Sequence, residues 1–409
     1  MKKSTVLFLL CIWVFNSNAQ DTLTVMSYNI LNYPTSNPSK ADTLKPIIKY
    51  VKPDIFMITE LVSAAGATTI LTDALNVDGV TYYQAANYVN GPDTDNMLYY
   101  NSDKLVLYSQ HEIPTTLRNI SEYVLYYNDP LLTAGSDTIF FYCYMAHLKA
   151  STGSSNEQQR DQEAALLKSY MNTRTDIENV FLGGDFNLYS STEPAYNTIL
   201  NTGMVPLLDP ISSPGAWNSN PSFAGIHTQS TRLGSLPDGG SYGGMDDRFD
   251  FIFFNNDLLT GSKKVIYINN TYKAIGNDGN HYNQSINSAP VNTAAPANVI
   301  DALYEMSDHL PVTLKAYINP FVGVKETNVD LNWTGYYTND IFKFRSTKTE
   351  NKMQVVVYDL LGKTVQKKVF IGQKEFELKL NPLHQGIYFV RVFSGNKQKS
   401  YKFVHLKNN

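Results

Sequence analysis

One short stretch constrains this chain more than any other: an apolar run ending in two glycines and then two oxygen-bearing side chains, Val180-Phe181-Leu182-Gly183-Gly184-Asp185-Phe186-Asn187. The run reads as a buried strand. Gly183 and Gly184 would let the backbone turn and a ligand come close. While the extended conformation persists, Asp185 and Asn187 point to the same side. Oxygen ligands and hydrogen-bond donors at the carboxyl end of a central strand suit a hydrated hard cation and a phosphate. Alone, the stretch reads equally well as a Gly-Asp turn with Asn187 capping the next segment. The rest of the chain has to decide.

The same form recurs along the sequence. Thr22 to Ile30 is an alternating strand with Asn29 at its end, and Asp54 to Glu60 is a buried strand that delivers a carboxylate. Between them Asp42 to Lys52 is helical, with Leu44, Ile47, Ile48 and Val51 on one face and Pro53 as its stop. Thr68 to Leu75 is a short helix, and Thr81 to Tyr127 is strand-rich. Thr138 to Leu148 is a strand ending in Ala146-His147-Leu148. It is followed by an amphipathic helix, Glu157 to Met171, that turns Ala164, Ala165, Leu166 and Leu167 towards a sheet. Arg248 to Phe254 is a further strand, and Ser307-Asp308-His309-Leu310-Pro311-Val312 leads into the last one. Pro206 to Gly244, rich in Gly, Pro, Ser and Asn, is expected to form long surface loops, and residues 269–298 a polar loop. Strands alternating with helices imply a layered α/β domain.

Both ends of the chain differ from this pattern. Lys2 and Lys3, the apolar run Val6 to Phe15 and Ser17-Asn18-Ala19 form a secretory signal peptide over residues 1–19, too short to span a bilayer. Cleavage after Ala19 would remove Cys11 and leave Cys143 alone, so no intramolecular disulfide can form. Cys143 itself lies in an apolar strand and reads as a buried small residue. Residues 20–320 carry 16 Lys+Arg against 30 Asp+Glu, whereas 321–409 carry 15 against 7. That reversal places a domain boundary near residue 320 and argues against a generally basic nucleic-acid-binding surface on the larger part. The domains are thus expected at 20–318 and 328–409, with a linker at 319–327. Short strands at Met353–Tyr358, Glu375–Leu380, Gly386–Val392 and Ser400–Val404, with a turn from Asp359 to Lys363, make the second a small all-β sandwich.

Six strand ends offer polar groups: Asn29, Glu60, His147, Asp185 with Asn187, Asp250, and Asp308 with His309. Each has a structural explanation taken singly; Asp250, for instance, could pair with Arg248. Together they fit metal-assisted attack of water on a phosphorus ester. Asn, Glu and Asp supply hard oxygen ligands for Mg2+ or Mn2+, and Ca2+ is also compatible. A His–Asp pair can hold one tautomer and move or stabilise charge. There is no Cys cluster and no His-x-x-x-His helix, which removes zinc-protease readings; Gly239-Gly240-Ser241-Tyr242-Gly243 spells Gly-x-Ser-x-Gly, but within a stretch of turn formers and not between a strand and a helix, which argues against a serine-hydrolase elbow.

The ordered set Ser27-Tyr28-Asn29-Ile30, Asp54-Ile55 through Glu60, Ala146-His147-Leu148, Gly184-Asp185-Phe186-Asn187, Arg248-Phe249-Asp250-Phe251-Ile252 and Ser307 through Val312 resembles the endonuclease/exonuclease/phosphatase superfamily. The resemblance implies a four-layered α/β sandwich, two packed mixed sheets flanked by helices. It implies that Asn29, Glu60 and Asp308 hold the divalent cation or its waters. Asp185 and Asn187 would position and activate the attacking water and touch the phosphate. His309, oriented by Asp250, would stabilise the pentacovalent phosphate or act as base. His147 matches the histidine-containing version found in pancreatic-type deoxyribonucleases and sphingomyelinases; no acid partner for it is legible. The tail, through Val355 to Lys363, Gly386 to Val390 and Tyr401 to Val404, resembles the C-terminal sorting domain of type IX secretion in some Gram-negative bacteria. Tyr336-Tyr337-Thr338-Asn339 stands where that domain's opening motif would fall. The expectation is a monomeric phosphodiesterase exported through the periplasm to the surface or medium by that machinery. Nucleic acid is the leading substrate, a lipid or small phosphoester the alternative, and a non-catalytic binding protein the remaining one. No membrane span is expected.

Overall fold

The computed structural model describes residues 21–129, 138–318, 333–338, 340–359, 363–380, 382–395 and 397–405. The leader expected over 1–19, the linker over 319–327 and most of the turn between Asp359 and Lys363 lie outside the described residues. The chain divides into two compact units, residues 1–321 and 322–409.

The first unit begins β1 (Asp21–Tyr33), α1 (Lys40–Val51), β2 (Ile55–Leu61), α2 (Ala64–Thr69), β3 (Tyr83–Ala85), β4 (Asp95–Asn101), β5 (Leu105–Ile113), β6 (Ile120–Tyr127) and β7 (Phe140–His147). It continues α3 (Ser154–Met171), β8 (Val180–Asp185), α4 (Pro194–Asn201), β9 (Leu207–Leu208), β10 (Asp250–Asn255), α5 (Asp257–Thr260), β11 (Val265–Tyr267), β12 (Lys273–Ala274), α6 (Ala297–Met306) and β13 (Val312–Ile318). One sheet has the order β11-β13-β1-β2-β4-β3, with β12 also on β13; the other has the order β5-β6-β7-β8-β10-β9. Each is mixed, with one parallel pair at its centre, β1 with β2 and β7 with β8.

Period-two alternation gives each sheet two apolar faces, and that builds the layers. Met26, Tyr28, Met57 and Leu98 of the first sheet share one buried cluster with Cys143, Met145, Phe181 and Ile252 of the second. Cys143 is fully buried there. Leu44, Ile47 and Ile48 of α1, with Val299, Ile300 and Leu303 of α6, join the same cluster. A second cluster joins Tyr144, Leu182, Phe251 and Phe253 to Leu167 of α3 and to Ala195 and Ile199 of α4. Each fully buried Leu or Phe contributes about 1.5–3 kcal/mol, so the sandwich rests on its dry faces without a disulfide.

Four local expectations change. Gly183 and Gly184 do not turn the chain, because β8 runs through both to Asp185. A Cβ on Gly183 would stand 2.6 Å from Met57 Cε and 3.1 Å from Ser27 Cβ, so this glycine lets the two sheets close on each other. Gly184 has φ +145°, and a Cβ there would lie 1.8 Å from the carbonyl oxygen of Ala146. On α3 the buried face is Arg160, Glu163, Ala164, Leu167, Lys168 and Met171. Ala165 and Leu166 face solvent, since a helical face repeats every three or four residues and not at four in a row. The stretch 206–244 is largely exposed loop, as expected, but residues 227–232 and Trp217 within it run through the interior. Trp217, His227, Thr231 and Arg232 are wholly buried; Trp217 Nε1, Thr231 Oγ1 and Arg232 Nε donate to backbone carbonyls, and His227 Nε2 lies 2.9 Å from Trp217 O. Finally, the extended backbone stops at Asp185, and Asn187 sits at φ 51°.

The second unit contains β14 (Thr334–Thr338), β15 (Ile341–Asp359), β16 (Thr364–Lys379), β17 (Gly386–Ser394) and β18 (Lys397–His405), all antiparallel. β14 and β17 take successive parts of β15, and β16 takes its other edge. Register shifts between Arg345 and Glu350 bend the long β15–β16 pair. Trp333, Phe344, Val355, Phe376 and Val390 belong to its own core.

Candidate active site

The polar residues converge because strand direction brings them to one edge. In the parallel pair β7–β8, His147 stands beside Asp185; in the antiparallel pair β10–β8, Asp250 stands beside Asp185. Two strands therefore end at this edge and a third begins there, which puts His147, Asp185 and Asp250 on one rung. From the facing sheet come Asn29, beside Thr59 in the β1–β2 pair, and Glu60. Asp308 and His309 precede β13, which runs antiparallel to β1 and so starts at the same edge.

Asp185 Oδ2 is the meeting point. Asn29 Nδ2 donates to it at 3.1 Å, and it lies 3.4 Å from His147 Nε2 and 3.6 Å from His309 Nε2. Its other oxygen accepts from the Asn187 amide at 3.1 Å, while Asn187 Nδ2 donates to Leu148 O. The left-handed turn at Asn187 thus folds its amide back onto Asp185. Asn29 also donates to Glu60 Oε1 at 2.8 Å and uses its own oxygen to accept from Leu31 N, so it presents nitrogen to the carboxylates. Glu60 holds φ 62°, an unusual backbone for a non-glycine residue and one that costs about 1–3 kcal/mol. His309 Nδ1 pairs with Asp250 Oδ2 at 2.8 Å, and the alternative partner of Asp250 is engaged elsewhere: Arg248 makes a bidentate bond to Asp209.

Several residues of the site carry no sequence signal. Gln229 Nε2 donates to Asp308 Oδ2 at 3.1 Å and lies 2.6 Å from His309 Nε2. The Ser241 backbone N–H donates to Asp308 Oδ2 at 2.7 Å. Gly240 packs so closely that a Cβ would stand 2.9 Å from Asp308 Cγ. All three come from the 206–244 stretch, whose turn-forming composition hid its role. Arg118 adds a guanidinium, with Nη1 near the carbonyls of His147 and Leu148 and Nε 3.0 Å from Asp93. A cavity of about 300 Å3 is lined by these groups together with Asn32, Ser151, Tyr189 and Phe249.

Crowded, buried carboxylates dominate the electrostatics. Burial, helped by Asp250 and Glu60, pushes the Asp185 carboxyl up to about 7. Burial, then Asp308, also raises Glu60. Burial, then Arg118 and His309, holds His147 well below the usual histidine range. For His309 burial acts downward, but Asp250, Asp185 and Asp308 together outweigh it and raise the imidazole well above that range. A divalent cation fits such a place. Ligand atoms of Glu60, His147 and Asp185 lie within 4.8 Å of one another. Among the described residues, His147 Nδ1 and Asp308 Oδ1 are buried without a hydrogen-bond partner. The expected ligand Asp308 is not in the tight Glu60–His147–Asp185 group; Gln229 and Ser241 hold its Oδ2 and leave the orphaned Oδ1.

The profile of the Endonuclease/Exonuclease/phosphatase family matches residues 26–309, and that of the Secretion system C-terminal sorting domain matches 338–406. No curated protein matches the chain. Among solved structures it is similar to a humanized D. rerio TDP2, at 15% identity and TM-score 0.46, over 72% of this chain and 98% of that one. It is also similar to the human Nocturnin catalytic domain, at 16% identity and TM-score 0.42, over 73% and 98%. A third is ANGEL2, a 2′,3′-cyclic phosphatase, at 14% identity and TM-score 0.41, over 73% and 95%.

Proposed function

Because the chain belongs to the endonuclease/exonuclease/phosphatase family, and is therefore a metal-dependent phosphoric ester hydrolase, we propose that it is a secreted, Mg2+-dependent nuclease cleaving phosphodiester bonds at the Asp185 edge. The sorting domain makes it a secreted or cell-surface protein that engages a secretion machinery, and no helix among the described residues is long and apolar enough to cross a membrane.

The observation that carries the reading is the convergence of Asn29, His147 and His309 on one oxygen of Asp185 from two different sheets. Glu60 and Asp308 would hold the cation, with Asn29 orienting Glu60 and Asp185. A bound divalent ion polarises a phosphoryl oxygen and offsets charge in the transition state. Asp185, its carboxyl pushed up to about 7 by burial, is suited to take the proton of an attacking water. Asn187, fixed by Asp185 and Leu148, faces the cavity and would contact the phosphoryl group. His309, held charged by Asp250 and its neighbouring acids, would donate to the phosphorane oxygens. Asn32, Arg118, Ser151 and Ser241 give the cavity a polar rim suited to an anionic polymer.

The test is a plasmid, a sphingolipid vesicle and a chromogenic phosphodiester, each with Mg2+ and with EDTA. Cleavage of the plasmid with Mg2+ and none with EDTA supports the nuclease reading. Preference for the lipid, or for the small ester alone, replaces it with a lipid or small-molecule phosphoesterase. No hydrolysis of any of them leaves a binding protein on the same scaffold.

A further inference from the structure

Arg232 belongs to none of the motifs, yet it is wholly buried and all five of its N–H donors have acceptors. Nε donates to Tyr304 O at 3.0 Å and Nη2 to Glu305 O at 3.1 Å. Those carbonyls belong to the last turn of α6, where no later amide of the helix serves them. On its other side the guanidinium makes a bidentate bond to Asp238, at 2.9 and 3.0 Å, and Nη1 also donates to Gly239 O at 3.0 Å. Lys40, the buried first residue of α1, sets its Nζ 2.6 Å from the same Asp238 carboxylate. One planar fork thus ties a helix end to a loop.

Both tied segments lead to Asp308. The end of α6 runs through Ser307 directly into it, and Thr231, beside Arg232, holds that backbone by donating from N to Asp308 O at 3.0 Å and from Oγ1 to Ser307 O at 2.6 Å. From Asp238 the loop continues to Gly240, packed against Asp308 Cγ, and to Ser241, whose N–H donates to Asp308 Oδ2 at 2.7 Å. The loop leaves the interior at Arg232 and returns to it, since Arg232 O accepts from Gly243 N and Gly244 N at 3.0 Å. Leu233, Gly234, Ser235, Pro237, Gly239 and Gly240 between those points are exposed, whereas the side chain of Asp238 is 9% exposed. Asp238 is therefore the buried tether of an otherwise open excursion. We infer that Arg232 and Asp238 are positioning residues that clamp the Ser241 turn onto Asp308, fixing its carboxylate by Oδ2 so that Oδ1 stays free for a divalent cation. Its consequence for metal rests on the functional reading above, and its consequence for the turn rests on this geometry alone.

The experiment uses the full chain and two variants, Asp238→Asn, which fills the same space without the charge, and Arg232→Lys, which keeps the charge without the fork. Asp238 stands on an exposed excursion, so its Asn variant should fold, and a thermal melt checks both. Calorimetric titration with Mn2+ should give a Kd about 10- to 100-fold weaker than the parent's in each folded variant, the usual cost of losing an outer partner of a ligating group. Hydrogen exchange read by mass spectrometry should be faster over residues 239–244 in both. A folded Asp238→Asn chain with a lowered melt but the parent's Kd would overturn the inference, because a merely structural tie costs stability alone. Unchanged exchange over 239–244 would overturn it as well. A parent chain that binds no Mn2+ would sink the metal reading instead, and the exchange data would still decide whether the clamp holds the turn.

Discussion

His309 Nδ1 lies 2.8 Å from Asp250 Oδ2, and both side chains are buried. The pair exists because β10 begins, and does not end, at the edge where β8 finishes, which sets Asp250 beside Asp185 and within reach of the loop before β13. Three acids, Asp250, Asp185 and Asp308, act on one imidazole, so this histidine carries its charge where an isolated buried one would lose it.

Replacing His309 by Ala should lower kcat by on the order of 10²-fold or more, the loss common on removing a general acid–base or transition-state donor. Asp250→Asn should fall in the same direction by less, because an amide still reaches Nδ1 but no longer supplies the charge that helps keep the imidazole protonated. Steady-state kinetics of both variants on one substrate checks this. Two neutral substitutions would return the pair to a structural role.

The glycines make a stability prediction. Gly183→Ala pushes a methyl group against the mobile end of Met57 and should cost about 1–3 kcal/mol, in line with overpacking elsewhere. Gly184→Ala meets the backbone oxygen of Ala146 at 1.8 Å from a positive φ, and nothing there can give way. Urea denaturation should rank Gly184→Ala well below Gly183→Ala; the reverse order would contradict the packing described.

Asp185 couples metal binding to pH. Free of metal, its carboxyl is pushed up to about 7 from 3.8, chiefly by burial. Between those values the folded chain holds a proton that the unfolded chain has lost. The stability this group lends is therefore complete below the unfolded value and disappears as pH rises through the folded one. A cation bound beside Glu60 and Asp185 takes the place of that proton, so it should bind more tightly as pH rises. The increase in Tm given by Mn2+ should be larger at about pH 8 than at about pH 6; equal increases would disconnect Asp185 from the metal.

Much of this was legible in the sequence, for a definite physical reason. A strand that is apolar along its length and polar at its end announces both a core and a rim, which is why Asn29, Glu60, His147, Asp185, Asp250 and the Asp308-His309 pair could be singled out. What the pattern cannot carry is which glycine turns and which merely makes room. Gly183 and Gly184 therefore read as a bend when they are a packing contact between two sheets and a close backbone approach within one. Nor can it carry a backbone donor such as Ser241 N, or a loop that dips into the interior over 227–232 and bonds its polar groups to backbone. Gln229 was hidden in that way, in a stretch of turn formers with no period. The acid near His147 was likewise out of reach, because Glu60 approaches its Nδ1, at 3.9 Å, from the other sheet.

The tail should be dispensable for chemistry. Residues 322–409 form their own compact unit with their own core, and all the site residues from Asn29 to His309 lie in the other. A chain ending at Pro320 should keep most of its Mg2+-dependent hydrolysis and should stay in the periplasm of a host with the type IX machinery, while the full chain reaches the surface or medium. Fractionation with an activity assay measures both. Normal export together with lost activity would assign the tail to the active unit.

Glu60 offers the most direct test of the metal-dependent site. It is raised by burial, held in a left-handed backbone, bonded by Asn29, and within 4.8 Å of ligand atoms on His147 and Asp185. Gln fills the same space without the charge that a cation needs, and Mg2+ is typically held through only one or two carboxylates. The measurement is kcat of Glu60→Gln with saturating Mg2+, beside its thermal melt. A normal melt with turnover nearly abolished is the predicted result, and full turnover in a folded Glu60→Gln chain would contradict it.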